Sequence, residues 1–296
     1  MIQRNTSTPL KRANNKTENR WRALSIITIL GFILAVSIIY SAYNTESSGP
    51  LSFYFNMANP YERYLVINPG MRMEEVADRI AKTISWTEKD KKAFLDSAPK
   101  DDNGPLEGFF MPGTYWININ STGKEVANQM LTEFNKQVGE QILGDPKTKK
   151  STQKINLETA VRIASIIQRE AAGPNDMRLI SGVIWNRLFD GMTLGMDATL
   201  QYAKGNETNW WPTVLSKDKK IDSPYNTYSN LGLPPTAISN TSIDAIKAAY
   251  NPQKTDCMYY LHDNNRKIHC SKTYEQHKNN IQTYLIGARQ SGRVAN

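Results

Sequence analysis

An apolar segment without a charged side chain occupies residues 24–43. A helix of about 20 apolar residues is long enough to cross the hydrocarbon layer of a bilayer. Trp21 precedes the segment and two tyrosines lie near its far end, where amphipathic rings prefer the membrane interface. We therefore predict a single transmembrane helix at residues 23–43. A cleaved signal peptide is the alternative, but the apolar run is longer than a usual signal core.

Positive charge is concentrated before this segment. Residues 1–22 carry six basic side chains against one acidic side chain, which accounts for five of the eight net positive charges of the chain. Basic residues beside a membrane-spanning helix stay on the cytoplasmic side. We predict a cytoplasmic basic tail at residues 1–22, an extracytoplasmic remainder, and localisation in the cell (inner or cytoplasmic) membrane with the lipid bilayer as a partner. Because the tail supplies most of the charge, no nucleic-acid partner is expected.

Turn and helix signals divide the rest of the chain. A polar stretch at residues 44–61 predicts a linker. A short strand, a turn at Pro69 and Gly70, and two amphipathic helices follow, and this order resembles a small LysM-like glycan-binding module at residues 62–105. Residues 106–296 are long enough for a larger domain. The predicted fold class is α+β, with a single N-terminal transmembrane helix, a LysM-like αβ module and a larger α+β domain.

One glutamate stands at the end of an apolar helical pattern. Ala160, Ile163, Ile167 and Glu170 recur at steps of three and four residues, so a helix places them on one face. A carboxylate that continues an apolar stripe loses hydration, and this raises its pKa. A carboxyl group that keeps its proton near neutral pH can donate it to a leaving oxygen. Glu170 is therefore a candidate general acid, and a solvated helix edge is the alternative.

The two cysteines lie on either side of a predicted hairpin that turns at Asp263 and Asn264. Counting back from this turn places Cys257 opposite Cys270, at a Cβ separation that suits a disulfide. An extracytoplasmic compartment is oxidising, so we predict that they are bonded, with two buried free thiols as the alternative. The three histidines nearby have no tight zinc-ligand spacing, so no metal is predicted.

An exported domain with a partly buried glutamate and many aromatic residues favours a glycan substrate, because a carboxylic acid with a raised pKa is what glycosidic cleavage needs. The chain also resembles the YceG-like endolytic murein transglycosylases (MltG). The resemblance rests on several ordered motifs: LEGFFMPGTY (106–115), ASIIQRE (164–170), VIWNRL (183–188), GMTLGMDATLQYA (191–203), SPYNTY (223–228), GLPPTAI (232–238), and His269, Thr273 and His277.

The resemblance implies a peptidoglycan lytic transglycosylase that cleaves MurNAc–GlcNAc bonds within nascent glycan strands. The implied products are 1,6-anhydro-MurNAc ends, which would limit strand elongation. The family's catalytic glutamate falls on Glu170, which makes residues 106–296 the expected catalytic transglycosylase domain. No cofactor is implied, and the partners are glycan strands and candidate cell-wall synthases. The implied substrate-binding residues are Asn186, Arg187, Asp197, Thr199, Gln201, Tyr202, Tyr225, Asn226, Thr227 and His269.

The chain departs from the family pattern at Gly113, where the family has Asp, and at Ala198, where it has Pro. Neither change removes the proposed acid. Two other functions stay open. The first is a non-catalytic, membrane-anchored peptidoglycan-binding scaffold. The second is a hydrolytic muramidase, which needs an additional carboxylate, for which Asp176 and Asp197 are the nearest candidates in sequence.

Overall fold

The computed structural model describes residues 20, 24–34, 36–37, 58–102, 104–145 and 155–287. The chain divides into two compact units, Met1–Glu62 and Arg63–Asn296. In the first unit, residues 24–34 are helical and their large apolar side chains are exposed. Within the described ranges, no helix has both the length and the apolar character that a membrane span requires. The predicted helix at residues 23–43 lies partly outside these ranges, and the tail and linker lie almost entirely outside them.

Strand β1 (Glu62–Ile67) begins at the last residue of the first unit, and helix α1 (Met73–Ile84) and helix α2 (Glu88–Leu95) follow it in the second unit, which is the predicted order. Two short strands follow, β2 (Lys100–Asp101) and β3 (Gly104–Pro105), and these pair with each other. Strand β4 (Gly113–Asn118) then pairs with β1, and helix α3 (Gly123–Val138) follows it.

The first hydrophobic cluster of this unit lies between the β1–β4 pair and the helices. Alternation along β1 buries Leu65 and Ile67, while Val66 points outward. Ile117 of β4 and Met130 of α3 belong to the same cluster. The cluster therefore crosses the boundary at residue 105, and the proposed division into modules stays a prediction.

A second cluster surrounds helix α4 (Leu157–Glu170), which packs against α5 (Pro174–Phe189), α6 (Asp197–Lys204) and α7 (Ile243–Tyr250). The side chain of Asn156 begins α4 by accepting a hydrogen bond from the Thr159 N–H at 2.8 Å. The helix ends at Glu170 because Ala171 is extended, and Pro174 then opens α5 at the first helical position, which suits its fixed φ angle. The core thus fixes Glu170 at a helix end.

A hairpin of β5 (Tyr259–His262) and β6 (Ile268–Ser271) follows, and helix α8 (Tyr274–Asn280) comes after it. The register pairs Tyr260 with Cys270 and His262 with Ile268. The predicted register was therefore wrong, because the loop between the strands is longer than the assumed tight turn. Cys257 nevertheless forms a disulfide with Cys270, with the Cα atoms 5.8 Å apart, from a position before β5. The described part of the chain is mixed helix and strand with two-stranded sheets, as an α+β class requires.

Candidate active site

Glu170 is the last residue of α4, and its side chain is half-buried. The preceding apolar residues Ile163, Ile166 and Ile167 are fully buried, so the helix cannot rotate without exposing them. The Glu170 Oε2 atom accepts a hydrogen bond from the hydroxyl of Tyr260 at 2.9 Å. The Oε1 atom accepts a longer one, 3.4 Å, from the backbone N–H of Ala198 in the first turn of α6.

Burial is the main cause that raises the pKa of Glu170 above its ordinary value, and the charge of Asp197 adds to it. The hydrogen bonds from Tyr260 and Ala198, and the nearby imidazole of His262, act in the opposite direction. The group therefore has the raised pKa that the apolar helix face predicts. It also has donors that stabilise the carboxylate once the proton has left.

The β5–β6 hairpin lies against the turn between α4 and α5 through three contacts. Tyr260 donates to Glu170, His262 Nε2 lies 3.1 Å from Asp176 Oδ2, and the guanidinium of Arg266 donates to the Ala172 carbonyl. Tyr260 is not among the site residues that the sequence predicts. The available signal was the strand pattern, since alternation places Tyr260 and His262 on the same face.

Helix α6 begins beside Glu170, and a small buried network fixes its start. The Thr227 hydroxyl accepts from the Met196 N–H at 3.0 Å and shares a hydrogen bond of 2.8 Å with the Thr199 hydroxyl. Asp197 itself is exposed and accepts a hydrogen bond of 2.6 Å from the Tyr228 hydroxyl. Thr199 and Thr227 thus hold the helix start, while the Asp197 carboxylate faces solvent near Glu170.

Two predicted binding residues on α5 hold the chain that leads into the hairpin. The side-chain amide of Asn186 donates to the carbonyls of Thr255 and Cys257, at 2.9 and 3.0 Å. The Arg187 guanidinium donates to the Met258 carbonyl at 2.7 Å and also to the Leu194 carbonyl. Their hydrogen bonds therefore join α5, the segment before α6 and the start of β5.

The other predicted residues lie on α6, in the loop after it and on β6 of the hairpin. Buried Asn226 donates to the carbonyls of Lys219 and Ile221, which fixes the loop before Thr227. The Tyr225 hydroxyl is 2.8 Å from the Thr236 hydroxyl, and half-buried Gln201 lies on α6. The His269 side chain has two partners of its own: its Nε2 atom lies 2.8 Å from Asp263 Oδ2, and its ring stacks on the ring of Tyr284.

Tyr202 of α6 belongs to a cluster of arginine and aromatic side chains. The guanidinium of Arg72 lies 3.8 Å from the Tyr202 ring centroid, and that of Arg169 lies 3.6 Å from the Trp211 centroid. The indole N–H of Trp211 donates to Glu75 on α1 at 3.1 Å. Since Arg169 is adjacent to Glu170, the cluster connects α1 to the end of α4.

Glu107 is a buried carboxyl group that is not among the site residues predicted from the sequence. Glu107 accepts hydrogen bonds from the N–H groups of Met73 and Gly108, so it caps the start of α1. Burial, followed by the charge of Glu74, raises its pKa. Within the described part of the chain, no group of three histidine, cysteine or acidic residues is arranged to hold a metal ion.

Residues 42–283 match the model of the YceG-like family. The chain belongs to this family. Among curated relatives of this YceG-like chain, an endolytic murein transglycosylase of Bacillus subtilis (strain 168) is 31% identical over 77% of the chain and 67% of the relative. An endolytic murein transglycosylase of Streptococcus pneumoniae serotype 2 is 32% identical over 64% of the chain, and the match spans only 35% of that longer protein.

The fold is also similar to a solved structure. The crystal structure of a yceG-like protein from Listeria monocytogenes superimposes with a TM-score of 0.63 at 30% sequence identity, covering 73% of this chain and 75% of that chain. The YceG-like assignment that the sequence motifs indicated is therefore confirmed.

Proposed function

We propose that this YceG-like chain is an endolytic peptidoglycan lytic transglycosylase that cleaves MurNAc–GlcNAc bonds within glycan strands. The names of the curated relatives support this class of reaction. The observation in this chain that carries the proposal is the carboxyl group of Glu170, which burial keeps protonated to a higher pH than an ordinary glutamate.

The proposed reaction uses this one carboxyl group twice. Glu170 donates its proton to the glycosidic oxygen as the bond from that oxygen to C1 of the muramyl sugar breaks. The resulting carboxylate accepts the proton of the same sugar's 6-hydroxyl, whose oxygen forms the new bond to C1. The product is a 1,6-anhydro end, no water is consumed, and the enzyme returns to its starting protonation state.

The surroundings of Glu170 suit both halves of this cycle. A poorly hydrated carboxyl group favours proton donation, and the Tyr260 and Ala198 donors favour the carboxylate that must form next. We propose that Asp197, Gln201, Tyr202 and Tyr225 line the glycan cleft. Asn186, Arg187, Thr199, Asn226, Thr227 and His269 are proposed to shape the cleft through the hydrogen bonds described above.

We further propose that the chain is a single-pass protein of the cell membrane with its N-terminus in the cytoplasm. The uncharged run at residues 24–43 and the basic tail before it support this placement. Residues 62–105 are proposed to form a LysM-like module that binds glycan, supported by the order β1–α1–α2. A tether of fixed length would confine cleavage to strands near the bilayer, where synthases extend them, and so limit strand elongation.

A product analysis tests the proposal. Purified glycan strands are digested with the full-length chain, with Glu170→Gln, and with Glu140→Gln as a control at an exposed glutamate. The ends are then identified by mass spectrometry. We expect anhydro ends from the wild type and the control and none from Glu170→Gln. Reducing ends would indicate a hydrolytic muramidase, and no cleavage by any form would indicate a peptidoglycan-binding scaffold.

A further inference from the structure

Tyr260 reaches Glu170 because of the alternation of β5. Tyr260 and His262 point to the α4–α5 turn, whereas Tyr259 points to the opposite face and contacts Tyr274 and His277. The Tyr260 hydroxyl lies 2.9 Å from Glu170 Oε2 and 3.4 Å from the sulfur of Met196. A hydroxyl has one proton to donate, and a carboxyl oxygen is a much stronger acceptor than a thioether.

We infer that Tyr260 is a positioning residue for the reaction proposed above: its hydroxyl fixes the rotation of the Glu170 carboxyl group and assigns the transferable proton to Oε1. This role depends on the proposed function, since it concerns the proton that Glu170 donates.

The assignment of the proton follows from the two oxygens of the carboxyl group. In the protonated form one oxygen carries the proton and the other resembles a carbonyl oxygen, which is the better acceptor. Oε2 accepts the short hydrogen bond from Tyr260, so Oε2 is the carbonyl-like oxygen. Oε1, whose contact with the Ala198 N–H is 3.4 Å, is left to carry the proton. Without Tyr260, the two oxygens would be interchangeable by rotation of the carboxyl group.

Tyr260 does not itself transfer a proton. Burial and the neighbouring charge of Glu170 raise its pKa well above the ordinary tyrosine value, so its hydroxyl stays protonated. It therefore donates a hydrogen bond throughout the cycle. The bond becomes stronger when Glu170 is ionised, which stabilises the carboxylate between the two proton transfers.

The hairpin holds Tyr260 in place from both sides. Cys270 lies directly opposite Tyr260 in the strand register and is bonded to Cys257. Arg187 fixes the Met258 carbonyl just before β5, and Arg266 reaches the Ala172 carbonyl beyond the loop. The position of the phenol is thus set by several contacts of the hairpin besides its own hydrogen bond to Glu170.

Several charged or titratable groups near Glu170 contribute to the pH dependence of its carboxyl group. Asp197 raises the pKa of Glu170 and His262 lowers it. The charge of Glu170 also acts on the groups of α4, α5, β5 and the loop after α6: Arg169, Arg187, Tyr260 and Tyr228. Replacing Tyr260 by phenylalanine leaves all the formal charges unchanged and removes only the contacts of the hydroxyl with Glu170 and Met196.

The test compares Tyr260→Phe with Tyr259→Phe in the full-length chain, using purified glycan strands. The alkaline limb of the kcat profile reports the general acid in the enzyme–substrate complex. Loss of a donor that favours the ionised form raises the pKa of Glu170, so the limb moves to higher pH. For Tyr260→Phe we expect kcat to fall about tenfold, KM to stay within about twofold, and the limb to rise by about one pH unit. Tyr259→Phe should behave as the wild type.

Two results would overturn this role. A Tyr260→Phe enzyme with wild-type kcat and an unmoved limb shows that the hydroxyl is dispensable. A lower kcat with an unmoved limb shows a structural contribution only. Glu170→Gln separates this from the wider proposal: if it retains activity, the assigned acid is wrong. If it is inactive while Tyr260→Phe matches the wild type, only the role of Tyr260 fails.

Discussion

Breaking the disulfide between Cys257 and Cys270 is expected to weaken the hairpin that carries Tyr260. The bond closes a loop with a sequence separation of 13 residues. The chain-entropy model gives a loop of this length about 3 kcal/mol of stabilisation, because the cross-link restricts the unfolded chain. For a domain of this size, that corresponds to a loss of about 6–12 °C in Tm.

The effect on activity should follow from the register. Cys270 lies opposite Tyr260, so a loosened hairpin makes the Tyr260–Glu170 hydrogen bond less populated. We expect reductant to lower kcat of the wild type towards the value of Tyr260→Phe, and to have little further effect on Tyr260→Phe itself. The two perturbations act on one contact, so their effects should not add.

The assay is thermal unfolding and glycan cleavage with and without reductant, for the wild type and for the double variant Cys257→Ser, Cys270→Ser. The double variant is the control, because reductant has no bond to break in it. Intact mass after alkylation establishes that the wild-type bond forms and is then reduced. The reasoning is refuted if complete reduction leaves both Tm and kcat of the wild type unchanged.

Three further substitutions test the packing of α4 and the electrostatics of Glu170. Ile167→Ala removes a fully buried side chain one turn before Glu170 and should cost about 3 kcal/mol, measured by denaturant unfolding; a loss below about 1 kcal/mol would show that α4 is not held as described. Gly108→Ala should cost a similar amount, about 3 kcal/mol, because Gly108 has φ +102° and a Cβ would lie 2.6 Å from Val161 Cγ1; unchanged unfolding would contradict this close approach. Asp197→Asn removes a charge that raises the pKa of Glu170, so the alkaline limb of the kcat profile should move to lower pH by less than about one unit. The shift should be smaller at high salt, because Asp197 is exposed. A limb that moves to higher pH would contradict the electrostatic account.

Local patterns were sufficient to predict the elements that carry Glu170. Apolar residues recur every three or four positions along residues 157–170, and this spacing predicts both the helix and its buried face, at whose end Glu170 lies. The prediction succeeds because the whole apolar face packs against one core cluster. The strand–helix–helix order of β1, α1 and α2 was equally readable, since alternation and capping residues act within a few positions of each other.

Local sequence patterns could not predict the contacts of Glu170. Tyr260 lies 90 residues further along the chain, and nothing in the local pattern around either residue specifies the other. The hairpin register was predicted wrongly because it depends on the conformation of the loop between β5 and β6, where Arg266 adopts φ +63°. The start of α5 at Pro174 could be predicted from the sequence, because proline is favoured at the first position of a helix.

The protonation of Glu170 can be measured directly by NMR titration of the full-length chain carrying 13C at the glutamate carboxyl carbons, with Glu170→Gln identifying the resonance. The account predicts one carboxyl resonance, absent from the variant, that titrates above the ordinary glutamate value because burial disfavours its charge. A Glu170 resonance that titrates at or below the ordinary value would contradict the claim that this side chain holds the proton needed for cleavage.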